Sequence, residues 1–98
     1  MRVFLIASMI VGSLFAAAPM LAHSCGGTVH GLSSHYDAAT GQGFLAVRAG
    51  PHTSASQLGE LFNGDEVTIL RRRGNWYHID AQDIGLGWVF AKYLDADC

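Results

Sequence analysis

Turn signals built on glycine recur at short intervals from Gly43 to Gly87, and this punctuation limits the possible fold more than any other feature of the chain. Gly50-Pro51, Asn63-Gly64-Asp65, Arg73-Gly74 and the Asp83 to Gly87 stretch leave segments that suit strands of about five or six residues and are too short for an amphipathic helix. Leu45 and Val47 are two residues apart and so share one face of a pleated strand, with Ala46 and Arg48 on the other. Pro51 stops that strand because it has no amide hydrogen for a ladder and biases Gly50 away from helix.

The same alternation continues downstream. Glu66 to Arg71 reads as a strand with Val67 and Ile69 inward. Asn75 to Asp80 is its hairpin partner across Arg73-Gly74, with Tyr77 and Ile79 on the core face and Trp76 and His78 on the other. Leu86 to Phe90 is the next strand, and Ala91 to Leu94 is long enough for one tight helical turn. Leu58 to Leu61 resumes apolar spacing before Asn63-Gly64, a strong hairpin signal. Thr28 to Leu32 reads as a short edge strand, followed by a polar loop from Ser33 to Gly43. The expected fold is all-β: a small barrel of five to seven short strands with one 3-10 turn near the C-terminus.

The N-terminus reads as an export signal. Met1-Arg2 is a small positive region, and Val3 to Ala18 is an uncharged apolar run ahead of Pro19. That run is shorter than the roughly 20 apolar residues a spanning helix needs. The division expected is therefore a signal peptide at 1–22 and a mature domain at 23–98, with cleavage after Ser24 as the other option. Ala22-His-Ser-Cys25 matches a lipobox poorly, so a cleaved signal is preferred to lipid attachment at Cys25. The expected location is periplasmic or secreted, with no membrane span after cleavage.

Export gives the cysteines their meaning. The chain has two, Cys25 and Cys98, which bracket the mature domain, and in an oxidising compartment such a pair is most simply a disulfide. Closing so long a loop is worth about 4 kcal/mol in the chain-entropy model. The pairing also requires the two termini to lie side by side.

Charge and polar residues exclude more than they select. Of the six Lys and Arg, Arg2 lies in the signal, leaving five against eight Asp and Glu, a mildly acidic balance without a nucleic-acid footprint. Arg71-Arg72-Arg73 is the only basic cluster. At a turn it serves solvation and discourages edge pairing, with a contact to an anionic glycan, lipid or protein as the functional alternative. His23, His30, His35, His52 and His78 form no compact ligand set, so no metal or other cofactor is expected. Ser33-Ser34 near His35 and Asp37 has the residue types of a serine site but no scaffold to orient it. Asp65-Glu66 and Asp80 with Asp83 fall at turns, and the cysteines are better read as a pair than as a nucleophile. No catalytic residue is assigned.

Four motifs then carry a resemblance: Leu45-Ala-Val-Arg-Ala-Gly-Pro51, Leu58-Gly-Glu-Leu-Phe-Asn-Gly-Asp-Glu-Val67, Gly74-Asn-Trp-Tyr-His-Ile79 and Gly87-Trp-Val-Phe-Ala-Lys-Tyr-Leu94. In this order and spacing the chain resembles a secreted bacterial SH3 domain over about residues 28 to 96. The resemblance implies an SH3-like barrel, termini brought together, and a non-catalytic recognition role toward cell-wall peptides or partner proteins. By similarity to the eukaryotic groove it makes Trp76, Phe90 and Tyr93 the candidate ligand surface, although packing or core filling is the competing role for each. Positions near Arg48 and Ala49, where eukaryotic domains carry tyrosines, are not aromatic here, which argues against proline-rich ligands. The expectation is a monomeric envelope module binding peptidoglycan peptide or an envelope protein. The alternative is a periplasmic inhibitor or immunity-type protein using the Ser33 to Gly43 loop and Arg71 to Arg73.

Overall fold

The computed structural model describes residues 24–98. The segment read as a signal peptide, residues 1–22, lies outside the described residues, as does His23. Seven strands follow in order: β1 (Cys25–Val29), β2 (Leu45–Arg48), β3 (Gln57–Leu61), β4 (Glu66–Arg73), β5 (Trp76–Asp80), β6 (Leu86–Phe90) and β7 (Leu94–Asp97). A 3-10 turn over Ala91–Tyr93 separates β6 from β7. The strands pair antiparallel in the order β3-β2-β6-β5-β4-β1-β7.

That single sheet wraps round one core. Val29, Leu45, Val47, Leu61, Val67, Ile69, Ile79, Val89 and Leu94 are buried together, and Ala81 joins them from the turn after β5. Leu61 on β3 and Leu94 on β7 come from opposite ends of the strand order, so only a rolled sheet lets them meet one core. The inward positions are those set by alternation: Leu45 and Val47, Val67 and Ile69, and Ile79 with the half-buried Tyr77.

β4 and β5 form the expected hairpin, with Gly74 at φ 59 in its turn. Its ladder is broken by a bulge between Ile69 and Arg71. Ile69 pairs with Ile79 on the core side, whereas Arg71 pairs with His78 and Arg73 with Trp76. Leu70 is the extra residue, and beyond it the alternation is inverted: Arg71 and Arg73 point outward, and Arg72 shares the side of Tyr77.

Two expectations need correction. The strand read at Thr28 to Leu32 as an edge begins at Cys25, ends at Val29 and lies between β4 and β7, inside the sheet. Its glycines hide its periodicity, and Gly27 packs so closely on Ile69 and Leu94 that a side chain there would collide with both. Asn63-Gly64 turns the chain, with Gly64 at φ 94, but the strands on either side do not pair with each other. The turn is instead fastened to the end of β1. Gly64 N–H donates to Val29 O (2.8 Å), Val29 N–H donates to Asp65 O (2.9 Å), and the Asn63 amide exchanges two bonds with the Leu32 backbone, each of 3.1 Å.

Cys25 and Cys98 are joined as a disulfide, with Cα atoms 5.1 Å apart. It continues the pairing of β1 with β7, so the two ends of the described domain lie side by side.

Candidate functional site

Trp76 opens β5 and Phe90 closes β6, and the register sets them directly opposite each other on the outer face of the sheet. Their rings meet edge to face at 5.5 Å and 70°. The 3-10 turn then swings Tyr93 toward Phe90, with centroids 6.4 Å apart. The three aromatic residues singled out from sequence thus line one cleft of about 260 Å³, together with Phe44, Ala46, Arg48 and Thr53.

Phe44 brings an aromatic group to this surface beside the first core strand, where the sequence offers none at Arg48 and Ala49. It sits just ahead of β2, where Gly43 (φ 84) lies against the backbone of His35 and Tyr36 too closely for any side chain. Arg48, outward on β2, donates from Nη1 to Ala55 O at 3.0 Å and so ties the 49–56 loop to the cleft wall. Neither residue was nominated for the groove from sequence. An aromatic residue on the flank of the first strand was the available signal for Phe44.

The polar loop extends the aromatic surface. Tyr36 packs at 5.6 Å from Phe44 and 6.1 Å from Phe62, and its hydroxyl donates to Glu60 at 3.0 and 3.2 Å. That bond to the carboxylate, followed by burial and the negative charge of Glu60, raises the phenol above its usual pKa. Tyr36 is nevertheless 50 % exposed and Phe62 44 %.

The arginine cluster does not act as one group. Arg72 lies over the Tyr77 ring (5.2 Å) and donates from Nε to Gly74 O at 2.8 Å, which fastens the hairpin turn. Arg71 and Arg73 both lie over Trp88, at 5.3 and 5.8 Å from the ring centre. His78 stacks on the same indole at 4.6 Å and 26°. Partial burial, then the charge of Arg71, pushes the His78 imidazole below its usual pKa and favours the neutral ring. Trp88 is buried, yet it faces outward beneath these side chains and is not part of the barrel core.

Four further polar residues hold turns. Ser33 Oγ accepts from His35 N–H (3.0 Å), Asp37 accepts from Ala39 N–H (3.0 Å), Asp65 from Phe62 N–H (2.8 Å) and Asp80 from Gln82 N–H (3.1 Å). Among the described residues no three His, Cys, Asp or Glu side chains are grouped so as to hold a metal ion. Nor is any described helix long and apolar enough to cross a membrane.

A rolled antiparallel sheet with an aromatic cleft on its outer face and turn-bound polar groups defines a small β-barrel binding domain. Residues 43–95 match the profile of the bacterial SH3 domain, more than half of the chain, and the chain belongs to that family. A search for relatives among curated proteins finds no match. Bacterial SH3 domains are binding modules, often connected with the cell wall.

Proposed function

We propose that this chain is an exported, non-catalytic module of the cell envelope that seats an extended peptide, of peptidoglycan or of a partner protein, in the cleft of Phe44, Trp76, Phe90 and Tyr93. The observation that carries this reading is the convergence of four aromatic residues from separate segments on one open cleft of about 260 Å³. Such a cleft suits an extended chain because aromatic slots grip it without requiring it to fold. The terminal disulfide supports export, since such bonds persist in oxidising compartments.

A second reading, an inhibitor or immunity-type protein, draws on the exposed Tyr36 and Phe62 at the 33–43 loop. Pull-downs on purified cell-wall sacculi and on periplasmic extract, each with wild type and Trp76→Ala, separate the two. Sacculus retention that Trp76→Ala abolishes supports the wall-peptide reading. A stoichiometric protein partner held equally by wild type and Trp76→Ala, without sacculus binding, supports the inhibitor.

A further inference from the structure

We propose that the face beside the cleft recognises a carboxylate, and that Arg71 and Arg73 hold the carboxylate of the same extended peptide whose apolar group fills the aromatic cleft. This rests on the peptide-binding reading of the cleft and specifies its ligand as an anionic peptide.

The sheet register sets out the surface as two parallel rows. Arg73, Trp76 and Phe90 form one; Arg71, His78, Trp88 and Arg48 form the other. Arginine therefore stands at the β4 end of both rows, and neither row contains an acid. The nearest outward carboxylate on these strands, Asp80, is already bonded to Gln82 N–H. The chain as a whole carries a formal charge of −2, so this concentration of cations runs against its average.

The arginines are placed for a ligand. Both are exposed, and among the described residues neither makes an ion pair; both lie over the ring of Trp88. A guanidinium lying over an aromatic ring keeps its N–H fork available, and that fork matches the two oxygens of a carboxylate. Two like charges brought to one indole repel each other, and an anion between them removes the repulsion. His78, favoured as the neutral ring, leaves the charge on this indole to the arginines.

The register also sets the ligand's spacing. Phe90 and Arg73 are separated by two strand intervals, roughly 10 Å at about 4.8 Å each. An extended peptide advances about 3.3 Å per residue, so the carboxylate should lie about three residues from the group seated in the cleft.

The two tryptophans allow a direct test, since Trp76 reports the cleft and Trp88 the arginine face. The probe is acetyl-Ala-Tyr-Ala-Ala-Ala, as free acid and as C-terminal amide, titrated to millimolar concentration into the disulfide-bonded protein while the indole N–H resonances are followed by NMR. The free acid is expected to shift both indoles and to bind about tenfold more tightly than the amide. Arg71→Gln with Arg73→Gln should remove that preference but keep the Trp76 shift, and Arg72→Gln should retain both. Equal binding of acid and amide, or a preference that survives the double substitution, overturns the carboxylate site while leaving the cleft reading intact. A shift of Trp88 without Trp76 overturns the shared ligand and the cleft reading. No shift at either indole overturns both.

Discussion

Val47 on β2 occupies the space that a side chain at Gly87 on β6 would fill. Both residues are buried, Val47 has no exposed surface, and a Cβ at 87 would collide with its Cγ1. The backbones of β2 and β6 can meet there only because Gly87 lacks a Cβ.

Gly87→Ala is therefore expected to destabilise the domain by about 1–3 kcal/mol, the usual cost of overfilling a packed core. Gly26→Ala is the control: nothing lies within 4 Å of a Cβ at that position. It should stay within about 0.5 kcal/mol of wild type. Chemical denaturation of both variants tests the contrast, and equal midpoints would refute the packing account.

The Cys25–Cys98 bond spans 73 residues of sequence, so its loss releases a long loop in the unfolded chain. Reduction, or Cys25→Ser with Cys98→Ser, should lower stability by about 4 kcal/mol in the chain-entropy model. Denaturant melts with and without reductant measure this directly. A change below about 1 kcal/mol would mean that β1 and β7 hold the ends together unaided.

His78 gives the domain a defined acid response. Its pKa in the folded protein is lowered, so the unfolded chain binds the proton more readily. Its contribution is accordingly constant above the ordinary imidazole value of about 6.5, and stability falls as pH drops through and below it. His78→Phe, which keeps a ring on Trp88 without the proton, should flatten the loss of melting temperature between pH 7.5 and 5 relative to wild type. Identical profiles would exclude His78 as the source.

Leu70 tests the bulge. Deleting it joins Ile69 directly to Arg71 and closes the bulge, so that plain alternation from Val67 and Ile69 keeps Arg71 and Arg73 on the outer face. No guanidinium is turned inward, so the variant is expected to keep a cooperative unfolding transition, within about 1–3 kcal/mol of wild type. Loss of the cooperative melt by circular dichroism would show that the sheet depends on the bulge itself and not only on the faces it sets.

Much of the barrel is legible in the sequence because its strands obey a period of two. Leu45 and Val47, Val67 and Ile69, and Tyr77 and Ile79 announce their faces, while Gly-Pro and the Arg73-Gly74 turn mark the boundaries between strands. β1 is hidden because two of its five residues, Gly26 and Gly27, offer no side chain to a hydrophobic pattern. Asn63-Gly64 announces a turn but not the strands' partners, which are chosen by contacts distant in sequence. Trp76, Phe90 and Tyr93 could be nominated because they lie in the motifs that resemble the SH3 groove. Phe44 offers only its place on the flank of the first strand as a signal, because it precedes that strand and follows the close approach of Gly43 to the His35 and Tyr36 backbone. The arginine cluster can be nominated for an anionic contact, but the face that Arg71 and Arg73 take is illegible: simple alternation from Val67 and Ile69 gives them the opposite face, and one extra residue reverses it.

That single residue also divides the strand into two mutational regimes. Upstream of Leu70 the odd positions, 67 and 69, answer to the interior; downstream, positions 71 and 73 stand outside it and can change without disturbing the packed centre. A domain built in this way can be retargeted, with new chemistry written at the outward positions while the barrel beneath them is left alone.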